Sequence, residues 1–186
     1  MPANQPPPRA LRLAEYESLR STIAVRGTVR LVLVPAVVVA WAVTSAALID
    51  VSPLPIATVF PLAILVAGFE ATYSLHTGVE RLGRYIQVFF EETEHPEWDG
   101  ATWETTAMAG GPAMPRGGVD PLFTPLFCAA VAANLVGALV SDPPSPVAAT
   151  LSLAHGAVVV RMLRARQLAG TQRRRDLDHF RGLRNA

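Results

Sequence analysis

The chain has no lysine; all 16 of its basic residues are arginine. A composition bias accounts for that without a function. There is one cysteine, Cys128, which excludes an internal disulfide and a cysteine-based zinc cluster. It lies in an apolar run, the setting of a buried, inert thiol. Aromatic residues make up only 7% of the chain. Charged residues make up 17%, against roughly 25% in an average soluble domain. Motifs of chemistry are missing too. There is no G-x-S-x-G nucleophile elbow and no phosphate-cradling P-loop. The glycine-rich "GGPAMPRGG" lacks the Lys-Ser/Thr ending and reads as a flexible connector before Asp120.

What is present is hydrocarbon: 51% of the 186 residues are hydrophobic. Four uncharged apolar stretches run over residues 31–49, 51–69, 122–140 and 146–160. A helix rising about 1.5 Å per residue needs roughly 20 residues to cross a bilayer core of about 30 Å. The fourth stretch is shorter, and Arg161 extends it by snorkelling. Lipid offers the backbone no hydrogen-bond partners, so each stretch is expected to be a helix. "DVSPLP" and "SDPPSP" are short connections, which implies two hairpins. Ser52-Pro53, Asp120-Pro121 and Ser145-Pro146 each read as a cap followed by proline at the first helical position.

Arginine placement orients these spans. Arg9, Arg12, Arg20, Arg26 and Arg30 precede the first. Arg81, Arg84 and Arg116 lie between the second and third, and eight arginines run from Arg161 to the end. The two hairpin loops carry none. The positive-inside rule then places both termini and the middle loop in the cytoplasm of a bacterial inner membrane. The first span is too long, and its charged leader too extended, for a cleaved signal peptide.

Helices in lipid associate through close contact at small residues. Such rows occur at Ala63, Ala67 and Ala71, at Ala129, Ala133 and Gly137, and at Ala148, Ser152 and Gly156. Polar residues at depth are sparse: Glu70, Asn134 and His155. Asn134 and His155 suit an interhelical hydrogen bond. With Glu70 they are also the candidates for lining a path, should the chain be a small oligomeric transporter or channel.

The most chemically loaded segment is "SLHTGVERLGRYIQVFFEE", residues 74–92. Leu75, Val79, Leu82, Ile86 and Phe89 form one apolar stripe at helical period. Glu70, Thr77, Arg81 and Arg84 run opposite. Glu80 precedes Arg84 by four residues, the favourable order for a surface pair. This is an amphipathic helical extension of the second span. His76 and Glu80, or Glu92 and His95, have metal-ligand spacing. A carboxylate-bridged centre needs more ligands on more helices, so no cofactor is expected. A metal-dependent membrane enzyme using His76 and Glu80 is the third alternative. A second amphipathic helix is expected at residues 9–30, with Tyr16, Leu19 and Ile23 on one face. Trp98 and Trp103 flank an acidic patch and suit interfacial anchors. The basic tail suits topology and anionic headgroups, at about 1 kcal/mol per charge near the surface. Nothing in it reads bases, so no nucleic-acid partner is expected.

"EYESLR" before the first span, with "ERLGRYIQVFFEE" and the pair Trp103-Glu104 after the second, resembles a broad group of small, uncharacterised bacterial inner-membrane proteins. The resemblance covers residues 15–104 and implies no activity. It implies that the cytoplasmic face is the informative side.

The expectation is therefore an all-α, polytopic membrane protein of four transmembrane helices arranged as two hairpins, with amphipathic cytoplasmic extensions. Residues 1–8 form a disordered leader and 9–30 a cytoplasmic helix. The first hairpin is 31–75, the cytoplasmic helix and loop 76–120, the second hairpin 121–162 and the basic tail 163–186. The expected role is a non-enzymatic interaction or assembly component, binding a partner or a second copy. Its face comprises Tyr16, Leu19, Ile23, Glu80, Arg81, Arg84, Tyr85, Trp103 and Glu104.

Overall fold

The computed structural model describes residues 9–51, 54–92 and 120–185. All regular structure among the described residues is helical. Four α-helices follow one another among the described residues: α1 (Arg9–Val51), α2 (Val59–Ile86), α3 (Thr124–Val140) and α4 (Ser145–Asn185). A 3-10 turn at Pro55–Thr58 leads into α2, and a π-helical turn at Gln87–Glu91 follows it. The stretches Arg9–Leu48, Pro55–Glu91 and Ser145–Asn185 are long and apolar enough to cross a membrane; α3 is a shorter apolar helix.

Two of the expected helix starts are displaced, and proline explains both. Val51, expected to open the second span, is the last residue of α1. Leu54 precedes a proline and is extended (φ −77°, ψ 121°), as that position favours. Pro55 then opens the 3-10 turn and α2 begins only at Val59. Ser52 and Pro53 lie outside the described residues. At α3, Asp120 closes a turn instead of capping the helix. Its Oδ1 accepts from the Leu122 amide at 3.1 Å, and its carbonyl accepts from the Phe123 amide at 2.8 Å. Phe123 is left-handed (φ 51°), and α3 starts at Thr124 with Pro125 in its first turn. α4 does start at Ser145. The amides of Val147 and Ala148 donate to the Pro144 carbonyl at 2.9 and 3.0 Å.

The contacts divide the chain into two compact units. One, the apolar unit, comprises residues 29–76 and 118–171. Its core joins Val34 and Val37 of α1, Leu62, Leu65 and Phe69 of α2, Phe127 and Val131 of α3, and Met162 and Ala165 of α4. Phe69 and Phe127 meet edge to face, ring centres 5.5 Å apart. At Gly68 the packing leaves no room for a side chain: a Cβ would overlap both γ-methyls of Val37. The expected small-residue rows do not form this core. Ala63, Ala67, Ala71, Ala129, Ala133, Gly137, Ser152 and Gly156 are all exposed, and larger side chains fill the interior. Phe60 (68% exposed), Val136 (61%) and Leu153 (75%) also point outward. A surface this apolar is suited to lipid as solvent. Cys128 is half-buried, less enclosed than its apolar run suggested.

The other, charged unit takes residues 1–28, 77–117 and 172–186. Its described residues are the first part of α1, the end of α2 with the π-turn, and the end of α4.

Candidate functional site

In the charged unit the apolar stripe of α2 is covered from two sides. Ile86 is fully buried, and Val79, Leu82 and Phe89 are half-buried. From α1, Tyr16 packs on Phe90 with ring centres 5.6 Å apart. From α4, Phe180 meets Tyr85 at 5.8 Å and Phe89 at 6.3 Å. Tyr85 sits among these rings and donates its hydroxyl to Glu15 at 3.0 Å. Burial and that hydrogen bond to a carboxylate both push the Tyr85 pKa up.

Arg84 is the chief departure from the sequence pattern, which placed it on the solvated stripe. It is buried, 2% exposed. Its Nη2 donates to Glu80 at 2.9 Å, the expected i, i+4 pair, and its Nη1 donates to Asp176 of α4 at 2.6 Å. A guanidinium at that depth needs two carboxylates to offset its lost hydration. Helical periodicity within α2 cannot reveal a partner 92 residues away.

The end of α2 is held by cations. Arg12 of α1 donates to the Phe89 carbonyl at 2.9 Å and lies 5.6 Å over the Phe90 ring. Arg184 of α4 donates to the Val88 carbonyl at 3.3 Å and to Glu92 at 3.0 Å. Arg181 reaches Glu92 at 2.7 Å. Carbonyls at a helix C-terminus attract positive charge, and a π-turn presents them unevenly, leaving acceptors free. Burial raises the Glu92 pKa, but the hydrogen bonds and charges of Arg181 and Arg184 outweigh it and hold it below the usual carboxylate value. The same contact pushes Arg181 up.

The sequence-expected face is therefore placed as follows. Tyr16, Arg84 and Tyr85 make internal contacts, and Leu19 and Ile23 are half-buried. Glu80 serves Arg84, and Arg81 is exposed. Trp98, Trp103, Glu104 and His95 lie outside the described residues. Asp176, Phe180, Arg181 and Arg184, read from sequence as parts of a basic tail, belong to the same cluster. Asp176 and Phe180 stand four residues apart on one helix face, a spacing that could have marked them.

In the apolar unit the depth residues split. Asn134 and His155 meet. Asn134 Nδ2 donates to His155 Nε2 at 2.9 Å and to the Thr58 carbonyl at 3.0 Å. Its Oδ1 accepts from the Trp41 indole at 3.3 Å. His155 Nδ1 faces the Leu151 carbonyl at 2.7 Å and so carries the ring proton. This neutral network ties α1, the 3-10 turn, α3 and α4 together. Glu70 takes no part in it. It pairs with Arg161 at 2.8 Å, and Arg161 lies 5.3 Å over the Tyr73 ring. Of the metal candidates, His76 Nδ1 accepts from Arg30 Nη1 at 3.2 Å. Among the described residues no group of three metal ligands converges.

No protein-family model, curated protein or solved structure matches the chain.

Proposed function

We propose that this chain is a four-span protein of a bacterial cytoplasmic membrane, with both termini in the cytoplasm. Its charged unit binds another protein or a second copy of the chain, without catalysing a reaction. Three helices of spanning length support the membrane placement. α3, at 17 residues, sits at the short end of the spanning range of roughly 17–25. The arginine distribution supports the orientation. Arg164 and Arg166 follow the apolar part of α4 and are exposed, a position suited to anionic headgroups.

The observation that carries the interaction role is in the charged unit. Its buried charges and rings are committed to one another, while Leu11 (60% exposed), Leu13 (58%) and Val25 (59%) remain outward with Arg81. Aliphatic side chains on an aqueous face suit a protein contact. A transport path has less support, because Asn134 and His155 spend their hydrogen bonds on structure and Glu70 is paired elsewhere.

With no lysine in the chain, amine crosslinkers are a poor choice, so a photoreactive residue is placed at Leu13 in cells. The expected outcome is a crosslinked species heavier than the monomer, absent when the photoreactive group is at outward Leu153. Monomer alone from position 13 would sink the interaction role.

A further inference from the structure

The apolar unit is well packed around Leu65 and Phe69 but not around Trp41. Between α1 and α3 lies a cleft of about 600 Å³. Trp41, Ser45 and Leu48 form one wall; Ala133, Asn134 and Gly137 form the other. Its size falls within the roughly 300–1,000 Å³ of small-ligand pockets. Each wall runs about 10 Å along its helix, from Trp41 to Leu48 and from Asn134 to Ser141. Val140 (79% exposed) and Leu54 (61% exposed) also line it and reach the apolar surface.

The polar atoms of the cleft define what fits. None of the described residues lining it is ionisable. Asn134 has spent both of its N–H donors, and its Oδ1 keeps a lone pair. The hydroxyls of Thr58 and Ser141 already donate to the carbonyls of Pro55 and Ala138, and retain acceptor capacity. Ser45 also lines the cleft, but its hydroxyl oxygen is closed off from it. The cleft is thus apolar, uncharged and rich in acceptors. Its complement is a hydrocarbon carrying one neutral donor.

We propose that this cleft binds a neutral long-chain lipid alcohol, its hydroxyl donating to Asn134 Oδ1 and its chain lying between α1 and α3. The assignment rests on the placement of the apolar unit in a bilayer, which supplies such a ligand laterally through the open side.

Trp41 provides the readout. The full-length chain with Trp98→Phe and Trp103→Phe keeps Trp41 as its one indole. It is placed in vesicles of phosphatidylethanolamine and phosphatidylglycerol, and a dibrominated long-chain alcohol or its methyl ether is added. One hydrogen bond of ordinary net strength makes the alcohol about fivefold the tighter ligand. The alcohol should therefore quench Trp41 at about one-fifth of the ether's concentration. Asn134→Leu, which removes the acceptor, should bring the two together. Gly137→Leu should reduce both to the quenching expected from bulk mole fraction. No atom lies within 4 Å of a Cβ at Gly137, so that substitution fills the cleft without a clash. Equal quenching by alcohol and ether in the parent chain, or quenching unchanged by Gly137→Leu, overturns the proposal. Brominated phosphatidylglycerol tests the premise separately. If it fails to quench Trp41, the membrane placement falls and the ligand assignment falls with it.

Discussion

The apolar unit buries a neutral network: one asparagine, one histidine, one indole and backbone carbonyls, with every Asn134 donor used. The charged unit buries a guanidinium between two carboxylates and closes a helix end with three more arginines. On the proposed membrane placement, the difference follows from solvent. An ion inside a lipid-embedded bundle has no nearby water to share its hydration, so depth there favours neutral amides and imidazole. Next to water, a carboxylate such as Glu80 stays partly hydrated while it neutralises Arg84. The same chain therefore solves polar burial in two ways. Substitutions in the two units should differ in size and in pH response.

The largest effect is expected at Asp176. Asp176→Ala leaves Arg84 buried with one carboxylate and should destabilise the charged unit by about 3 kcal/mol. Limited proteolysis of the full chain should show the end of α4 released. Asp178→Ala, at an exposed position, should stay within about 0.5 kcal/mol of the parent. Equal effects from the two would break the contrast. Next comes steric packing in the apolar unit. Gly68→Ala pushes a methyl into Val37 and should cost about 2 kcal/mol in thermal unfolding. Val37→Ala in the same chain should recover part of that loss, and strict additivity would contradict the close approach. Asn134→Leu should cost about 1 kcal/mol, as single hydrogen bonds in membrane bundles are modest.

The smallest effect is pH-dependent and confined to the charged unit. The Glu92 pKa is lowered on folding. The stability it contributes is therefore present above its unfolded value near 4.5 and is lost as pH falls through the folded value below that. Glu92→Gln should flatten this acid limb. Tyr85 is raised, so its contribution is present below pH 10.0 and is lost as pH rises through the folded value above it. An unaltered acid limb in Glu92→Gln would assign the effect to other carboxylates.

The helices were readable because long uncharged runs have few alternatives, and the Glu80–Arg84 pair was readable because it is local. Two helix starts were misplaced because each region offers more than one X-Pro pair. Asp120-Pro121 and Thr124-Pro125 compete, and the Asp120 turn settles it for the second. The burial of Arg84 was not readable, since periodicity in α2 cannot know that Asp176 arrives from α4. The small-residue rows misled for a related reason. Alanine is common throughout the chain, and spacing alone does not tell an inward face from an outward one. The Asn134–His155 contact was anticipated, because two isolated polar groups in apolar helices seek each other. Its extension to Trp41 and the Thr58 carbonyl was not, since neither stands out in sequence.

In the proposed topology the apolar unit lies in the bilayer, with the chain termini on the cytoplasmic side and the α3–α4 connection on the other. Labelling single cysteines in intact cells with a membrane-impermeant maleimide tests this placement. In a Cys128→Ser background, Ser141→Cys should be labelled from outside, while Ser18→Cys and Asn185→Cys should be labelled only after permeabilisation. Labelling of position 18 or 185 from outside, or protection of position 141, would contradict the account.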